Sequence, residues 1–527
     1  MRAFLSILTT SFILIGCGGG GSGAVAQNSR EFSGKNREIT IKNNQSIYKI
    51  PNALSSNIEL NIESKKDIYL VVTSHFDNQD ISISQGIVSA NTPIKRETAD
   101  KNSTKKVDTI KMRRDINEIL FSNITNKPSQ RQIVSRNRSI DEVNSGSKGN
   151  FCIDMDSSRN CVRRIFATAK KVVRGVNTEF GSKSLVIWLE DGNSLSQQSI
   201  DNLADTFLKQ GSGNDIYDWE TNIYGSEWGA DAQNIDSKLI PKSDIIDILV
   251  YNMHNIGLAG YFWGKDNFKS SVIKASNEKI MFYINSGLLK KDPKETYTTL
   301  THEFQHMIHF YQRSVIKGIE DSSWYDEMMS EATEDLISTK IGYMGPRHVD
   351  PYDGTAGRAG NRGGRYPNFN RFNTVALTMW QNTTRDYSKV SAFGAYLLRN
   401  YDGATLLNKL MYSNNQDEYA LLDATGENNF EDLISNWGAA VMLSNRVDAP
   451  NKYRYNFGDF KYSSFKGTQY ELGSINFFNY NPQPQYKSSA KLGRDANLYY
   501  KVGNKLSGKV SLRITIPKGA DITIISK

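Results

Sequence analysis

Cysteine, histidine and long apolar runs are all scarce in this chain. Its 527 residues include three cysteines and six histidines, and so few cysteines exclude a disulfide-dense scaffold. After residue 15, no run of residues is long and apolar enough to span a bilayer. The length predicts three or four domains, the largest of which has ample residues for a core.

The first 17 residues have the pattern of an export signal. Arg2 is followed by an apolar run from Ala3 to Ile15, which is too short for a membrane span. The run ends in Leu-Ile-Gly-Cys, which resembles the lipobox of bacterial lipoproteins and predicts acylation of Cys17. A plain signal peptide cut after Ala26 is the alternative. We therefore expect a lipid anchor, a Gly/Ser-rich tether over residues 18–30, and a location outside the cytoplasm. Gly18, rather than an Asp, after the cysteine favours the outer membrane or cell surface.

The two remaining cysteines, Cys152 and Cys161, lie nine residues apart. In an exported protein, the simplest prediction is one disulfide that closes a small loop. Zinc-binding cysteines are the alternative, but no second pair is present to complete a four-cysteine site.

The positive charge is concentrated in one segment. The net charge is +8, and residues 91–150 alone hold 13 lysines and arginines against 7 aspartates and glutamates. This segment is polar and rich in Asn and Ser, so it predicts a solvated linker, or one that contacts anionic lipid or glycan. A nucleic-acid partner is not predicted.

Three of the six histidines fall within eight residues, in Thr301-His302-Glu303-Phe304-Gln305-His306-Met307-Ile308-His309. Apolar residues recur around them at spacings of three and four, which predicts a helix. His302 and His306 then share one face, where both imidazoles can bind a single metal ion. Glu303 points about 100° round the helix, so it can reach a water on that ion but not the ion itself.

A third ligand has to come from elsewhere in the chain. Gln312 and His309 stand where a metzincin would have His and Gly, which excludes that class. A second helix after a turn at Gly318 offers Glu327 as the ligand. Glu331, one turn later, is either an outer partner of a ligating histidine or, with Asp335, an alternative ligand pair.

These residues resemble known metallopeptidases. The run Asp-Glu-Met-Met-Ser-Glu at 326–331 is similar to the Asn-Glu-x-x-Ser-Asp motif of thermolysin-like enzymes, and Trp324 precedes Glu327 as in many gluzincins. The stretch 180–445 is most similar to the hyicolysin family. The resemblance implies an α+β zincin domain with a mixed sheet and a helical second half. It also implies one catalytic Zn²⁺ held by His302, His306 and Glu327, with Glu303 as general base. Met328 departs from the small residue that commonly follows the third ligand.

The alternation of polar and apolar residues divides the rest of the chain into predicted regions. We predict an N-terminal β module at 31–90, the linker at 91–150, the peptidase domain at 151–447 and a C-terminal β domain at 448–527. Within the peptidase domain, the following elements are predicted: helices at 163–173, 199–208, 374–381, 389–400, 404–412 and 430–447, and strands at 184–189, 245–251 and 279–284.

Three side chains are candidates for stabilising the oxyanion, namely His348, Tyr387 and Tyr396. The strand carrying Gly260-Tyr261-Phe262, or its neighbour, is a candidate edge for an extended peptide. The long Gly- and Arg-rich loop between 345 and 366 predicts a lid or a wall of the cleft. The predicted function is a zinc endopeptidase acting on proteins. The alternative is a non-catalytic adhesin or binding lipoprotein on a zincin scaffold, against which the intact Glu303 argues.

Overall fold

The computed structural model describes residues 35–86, 140–253 and 258–527. The predicted signal, Cys17, the tether and nearly all of the basic linker lie outside these ranges. Within them, no helix combines the length and apolar character needed to cross a membrane. Helices and strands are both abundant, so the architecture is α+β.

The first sheet has six strands in the order β5-β6-β7-β8-β10-β9. β7, β8 and β10 run parallel to one another. β5 pairs antiparallel with β6, β6 with β7, and β9 with β10. β8 is buried at every residue, as expected for a strand covered on both faces. The bounds are β5 Lys148–Met155, β6 Cys161–Thr178, β7 Gly181–Glu190, β8 Ile245–Tyr251, β9 Gly260–Phe262 and β10 Ile280–Asn285.

The predicted helix at 163–173 is wrong, because this segment lies inside strand β6. Its residues pair with β5 on one side and β7 on the other. A disulfide between Cys152 and Cys161 joins β5 to the start of β6. Long-range pairing satisfies the backbone of this segment, and Val172 and Val173 suit an extended conformation. The periodicity of a short apolar run does not by itself distinguish a helix from a strand.

The second sheet is built from strands that precede and follow the first sheet in the sequence. Its main path is β13-β4-β14-β3-β15-β2, and β1 pairs with β3. β3 and β14 are each 19 residues long and pair along most of their length. The bounds are β1 Lys35–Ile41, β2 Ile47–Ala53, β3 Ser56–Ser74, β4 Gln79–Gln85, β13 Ser489–Leu492, β14 Asn497–Thr515 and β15 Ala520–Ser526. A separate hairpin comprises β11 Lys461–Phe465 and β12 Thr468–Leu472.

The prediction of separate N- and C-terminal β domains therefore requires correction. Strands from 35–86 and from 489–526 share one hydrogen-bonded ladder and one apolar cluster. Tyr69 and Val71 on β3 face the other way and join the large core that also contains Leu300 and Phe304. A Cβ on Gly438 would lie 2.6 Å from Val71 Cγ1, so a helix can approach this sheet closely only with glycine there. The second sheet is thus packed against the helices of the large core.

Helices fill the space between the two sheets. Their bounds are α1 Gln197–Phe207, α2 Ile216–Tyr224, α3 Asp231–Ile235, α4 Ser286–Lys291, α5 Pro293–His309, α6 Ser323–Ile341, α7 Tyr366–Arg371, α8 Thr384–Asn400, α9 Ala404–Tyr412, α10 Asp417–Thr425 and α11 Phe430–Leu443. Those predicted at 199–208, 389–400, 404–412 and 430–447 correspond to α1, α8, α9 and α11.

No helix forms at 374–381, contrary to prediction. The backbone of this segment is satisfied by other elements: the Leu377 N–H donates to Asp495 O at 3.2 Å, and Lys389 Nζ donates to Ala376 O at 2.7 Å. Lys389 Nζ also donates to Met379 O. Tertiary partners have replaced the bonds that a helix would have made.

The motif helix α5 begins and ends at recognisable signals. The Asp292 carboxylate accepts from the Glu295 N–H at 3.0 Å, and Pro293 occupies the first turn. Beyond His309 the chain continues as a π-helical segment, Phe310–Ile316, and turns at Gly318, where φ is +66°. Helix α6 follows and ends at Gly342 in the left-handed conformation.

Candidate active site

Helices α5 and α6 bring His302, His306 and Glu327 together in the interior. His302 Nε2 lies 3.1 Å from Glu327 Oε2, and His306 Nε2 lies 3.7 Å from the same oxygen. The three side chains are buried, and their ligand atoms are close enough to hold one metal ion. Two imidazole nitrogens and a carboxylate leave room for a fourth ligand, which is the donor set of a catalytic zinc site.

The outer nitrogens of both histidines have carboxylate partners. His302 Nδ1 lies 2.6 Å from Glu334 Oε1, and His306 Nδ1 lies 2.8 Å from Asp326 Oδ1. Such partners fix the ring orientation and leave Nε2 to face the metal. Burial disfavours protonation of His302, but hydrogen bonds to Glu327 and Glu334 outweigh it and raise its pKa well above the ordinary value. The site therefore favours a positive charge at this position.

Glu331, predicted as an outer partner or rival ligand, is paired with an arginine. Arg365 Nε donates to Glu331 Oε2 at 3.0 Å, and Arg365 Nη2 donates to the other oxygen. Burial raises the pKa of Glu331 to about 7, and Arg365 opposes that rise. His302, Glu331 and Glu334 are also close enough to hold an ion, but both oxygens of Glu331 already accept hydrogen bonds from Arg365. Asp335 belongs to neither ligand group and pairs with Arg399.

Glu303 follows the candidate ligand His302 and lies beside the edge of the first sheet. Its Oε2 accepts from the Phe262 N–H at 2.7 Å, and Phe262 is the last residue of edge strand β9. Glu303 is buried, and it belongs to neither of the two potential ligand groups found among the described residues. This position agrees with a residue that acts on a water rather than on the metal.

Comparison with known protein families identifies the family of this chain. Residues 167–526 match the family described as Peptidase M30, which is well over half of the chain. The chain belongs to the peptidase M30 family. M30 is the hyicolysin family of metallopeptidases, so the resemblance found in the sequence is confirmed to that extent. The comparison with curated proteins gives no match. The M30 region begins within β6 and ends within β15, so it contains both motif helices.

Of the three oxyanion candidates, Tyr387 is the one that reaches this M30 site. Its hydroxyl donates to Glu327 Oε1 at 3.1 Å, and its ring centroid lies 6.5 Å from that of His302. Tyr396 is directed elsewhere and donates to Lys452 O at 3.0 Å. His348 is an exposed residue of the long loop. Tyr387 is therefore the candidate to contact an oxygen beside the metal.

Sequence reasoning missed Glu334 and Asp326 as partners of the histidines. Glu334 lies seven residues after Glu327, which is two turns along the same helical face, so its position was available from spacing. Asp326 precedes Glu327 and projects from a different face, and only the packing of α5 against α6 places it beside His306.

Glu220 is a further acid that sequence patterning did not single out in this M30 peptidase. It lies on α2 and is fully buried, and its two oxygens have no hydrogen-bond partner in the described structure. Burial raises the pKa of its carboxyl well above the ordinary value, and the nearby Glu334 adds to that rise.

Proposed function

We propose that this M30 peptidase is a zinc-dependent endopeptidase that hydrolyses peptide bonds of proteins outside the cytoplasm. The observation that carries the proposal is the arrangement of Glu303 beside a three-ligand group. The Nε2 atoms of His302 and His306 converge on Glu327 Oε2, while Glu303 is held at the adjacent sheet edge. When bound there, zinc supplies a Lewis acid that polarises the scissile carbonyl and makes a water molecule more acidic.

Glu303 carries the proton in this proposal. It accepts a proton from the attacking water and delivers it to the nitrogen of the leaving amine. The Phe262 N–H donates to Glu303 Oε2 and so holds the carboxylate beside the edge of the first sheet. The Tyr387 hydroxyl has a single proton, so it exchanges its hydrogen bond to Glu327 Oε1 for one to the carbonyl oxygen as negative charge develops on that oxygen.

The substrate is proposed to lie along β9. This strand is at the edge of the first sheet, and its last residue contacts the general base. An extended peptide added to such an edge gains backbone hydrogen bonds independent of its side chains. The peptide then passes the site with chain on both sides of the scissile bond, as an endopeptidase requires.

Removing the metal should abolish activity. We expect the purified full chain to bind about one zinc per molecule, because the two potential ligand groups of the described residues share His302, and to cleave casein. After treatment with a strong chelator, metal analysis and casein cleavage should both fall to background, and added zinc should restore both. Magnesium serves as the control because it prefers oxygen ligands. Undiminished cleavage by protein shown to be metal-free would refute the proposal, as would a zinc-loaded protein that binds proteins without cleaving them.

We also propose that Cys17 anchors the protein through lipid. The wild type should partition into a detergent phase and incorporate labelled palmitate, because several acyl chains bind a bilayer firmly. Cys17→Ser should lose the label and either retain residues 3–15 or be cleaved further on. N-terminal sequencing distinguishes these forms. A wild type that is wholly soluble, with its first residue beyond Cys17, would contradict the anchor and leave the peptidase proposal intact.

A further inference from the structure

Arg365 contacts two elements of the site at once. It ends the long loop between α6 and α7, and its guanidinium makes two hydrogen bonds to Glu331, one turn after the ligand Glu327. The same guanidinium lies 5.4 Å from the ring centroid of Tyr387 on α8. The ligand helix and the helix carrying Tyr387 are therefore connected through one side chain.

The ring of Tyr387 is held from more than one side. Trp380 packs edge-on against it with the centroids 5.1 Å apart, and Arg365 covers it as a cation over an aromatic face. The direction of the hydroxyl depends on where the ring lies, and a donor must be placed within a few tenths of an ångström to stabilise a developing charge. Contacts to the ring thus set the position of the hydroxyl.

The backbone conformation just before Arg365 determines where its side chain begins. Gly364 has φ +76°, and a Cβ there would lie 2.3 Å from Pro346 O. A Cβ on Gly363 would lie 2.2 Å from His348 Nδ1. The Arg365 N–H donates to Pro346 O at 3.0 Å. The positive φ and the close approach to the Pro346 carbonyl require glycine at position 364, so Gly364 fixes where the arginine side chain starts.

We propose that Arg365 is a positioning residue that orients Tyr387 for the reaction, with Glu331 holding the guanidinium in place. The proposal rests on the proposed peptidase function. Two of the donor nitrogens of Arg365 are used by Glu331, although the side chain is 34% exposed. Direct contact with substrate is therefore the competing role, and the test separates the two.

The test is a double-mutant cycle on the full chain, measured with a fluorogenic peptide. Tyr387→Phe should lower kcat by about 10²-fold through loss of a donor. Arg365→Leu should lower kcat by about 10-fold through misplacement of that donor. The double variant should be no slower than Tyr387→Phe, because Arg365 acts through the hydroxyl. Zinc content and KM should change little in all three, and Arg362→Leu, an exposed arginine of the same loop, should match the wild type.

Two more variants keep the test informative if Arg365→Leu folds poorly. Arg365→Lys retains the charge but not the two-pronged contact with Glu331, so its kcat should be intermediate. Gly364→Ala keeps the arginine but changes the backbone that positions its side chain, so it should reproduce the loss in kcat.

Other outcomes would overturn the positioning role. Multiplicative losses in the double variant would mean that Arg365 acts independently of Tyr387, and a raised KM with unchanged kcat would make it a substrate contact. A crystal structure of zinc-loaded Arg365→Leu gives a readout independent of activity. The Tyr387 hydroxyl should have moved away from Glu327 while the metal ligands have not, and an unmoved Tyr387 would refute the proposal even if no peptidase activity were found in the wild type.

Discussion

Glu303→Gln is expected to abolish peptide hydrolysis while zinc stays bound. Glutamine cannot take a proton from water, and loss of a general base costs up to about 10⁴-fold in rate. Its side-chain oxygen can still accept from the Phe262 N–H, so the edge strand and the fold should be preserved. Casein cleavage should fall to background, with zinc content and thermal unfolding close to those of the wild type.

Glu320→Gln is the matched control for this variant. Glu320 is an exposed residue beyond the motif helix, and the same change there should leave the rate unaltered. A Glu303→Gln protein that cleaves casein at a substantial fraction of the wild-type rate would remove Glu303 from the mechanism. Loss of zinc together with activity would instead point to a role in holding the metal.

Glu327→Ala is expected to abolish zinc retention. Its Oε2 is the atom near which both imidazole Nε2 atoms lie. Two histidines alone do not make a stable zinc site. Glu334→Ala should have a smaller effect, weakening zinc binding by about 10–100-fold, because it removes the partner of His302 Nδ1 without removing a ligand. Competition with a chromophoric chelator measures both affinities.

Glu331→Ala distinguishes the two possible ligand sets. Since Glu331 is engaged by Arg365 and is not part of the His302, His306 and Glu327 group, its loss should leave zinc affinity close to that of the wild type. Circular dichroism would verify that each variant is folded. Retention of zinc by Glu327→Ala and its loss from Glu331→Ala would place the third ligand one turn later than proposed.

The core of the candidate site could be predicted because local geometry determines it. His302 and His306 share a helical face at a spacing of four, and Glu327 follows after a turn long enough to start a second helix. The helices at 389–400 and 404–412 also carried strong periodic patterns and are present as α8 and α9. Asp326 and Arg365 reach the site through packing of separate elements, which no spacing in the sequence specifies.

The incorrect parts of the fold prediction share a physical cause. Residues 163–173 pair with the adjacent strands β5 and β7, and residues 374–381 bond to the Lys389 side chain and to Asp495. Local periodicity does not report such partners. The same limitation explains why the strands before and after the catalytic region were predicted as two modules, since nothing local in β3 reveals that it pairs with β14.

The shared second sheet has a consequence for the order in which this protein forms. β3 pairs with β14 across more than 400 residues of sequence, so the ladder cannot close until nearly the whole chain has been synthesised and delivered to one compartment. Loop closure over such a separation is slow. Strands β1 to β4 therefore wait with exposed edges while the catalytic helices are made, and an exported chain would depend on holding chaperones during that interval. Acquisition of a complete core, and with it full peptidase activity, is tied to arrival of the last strands.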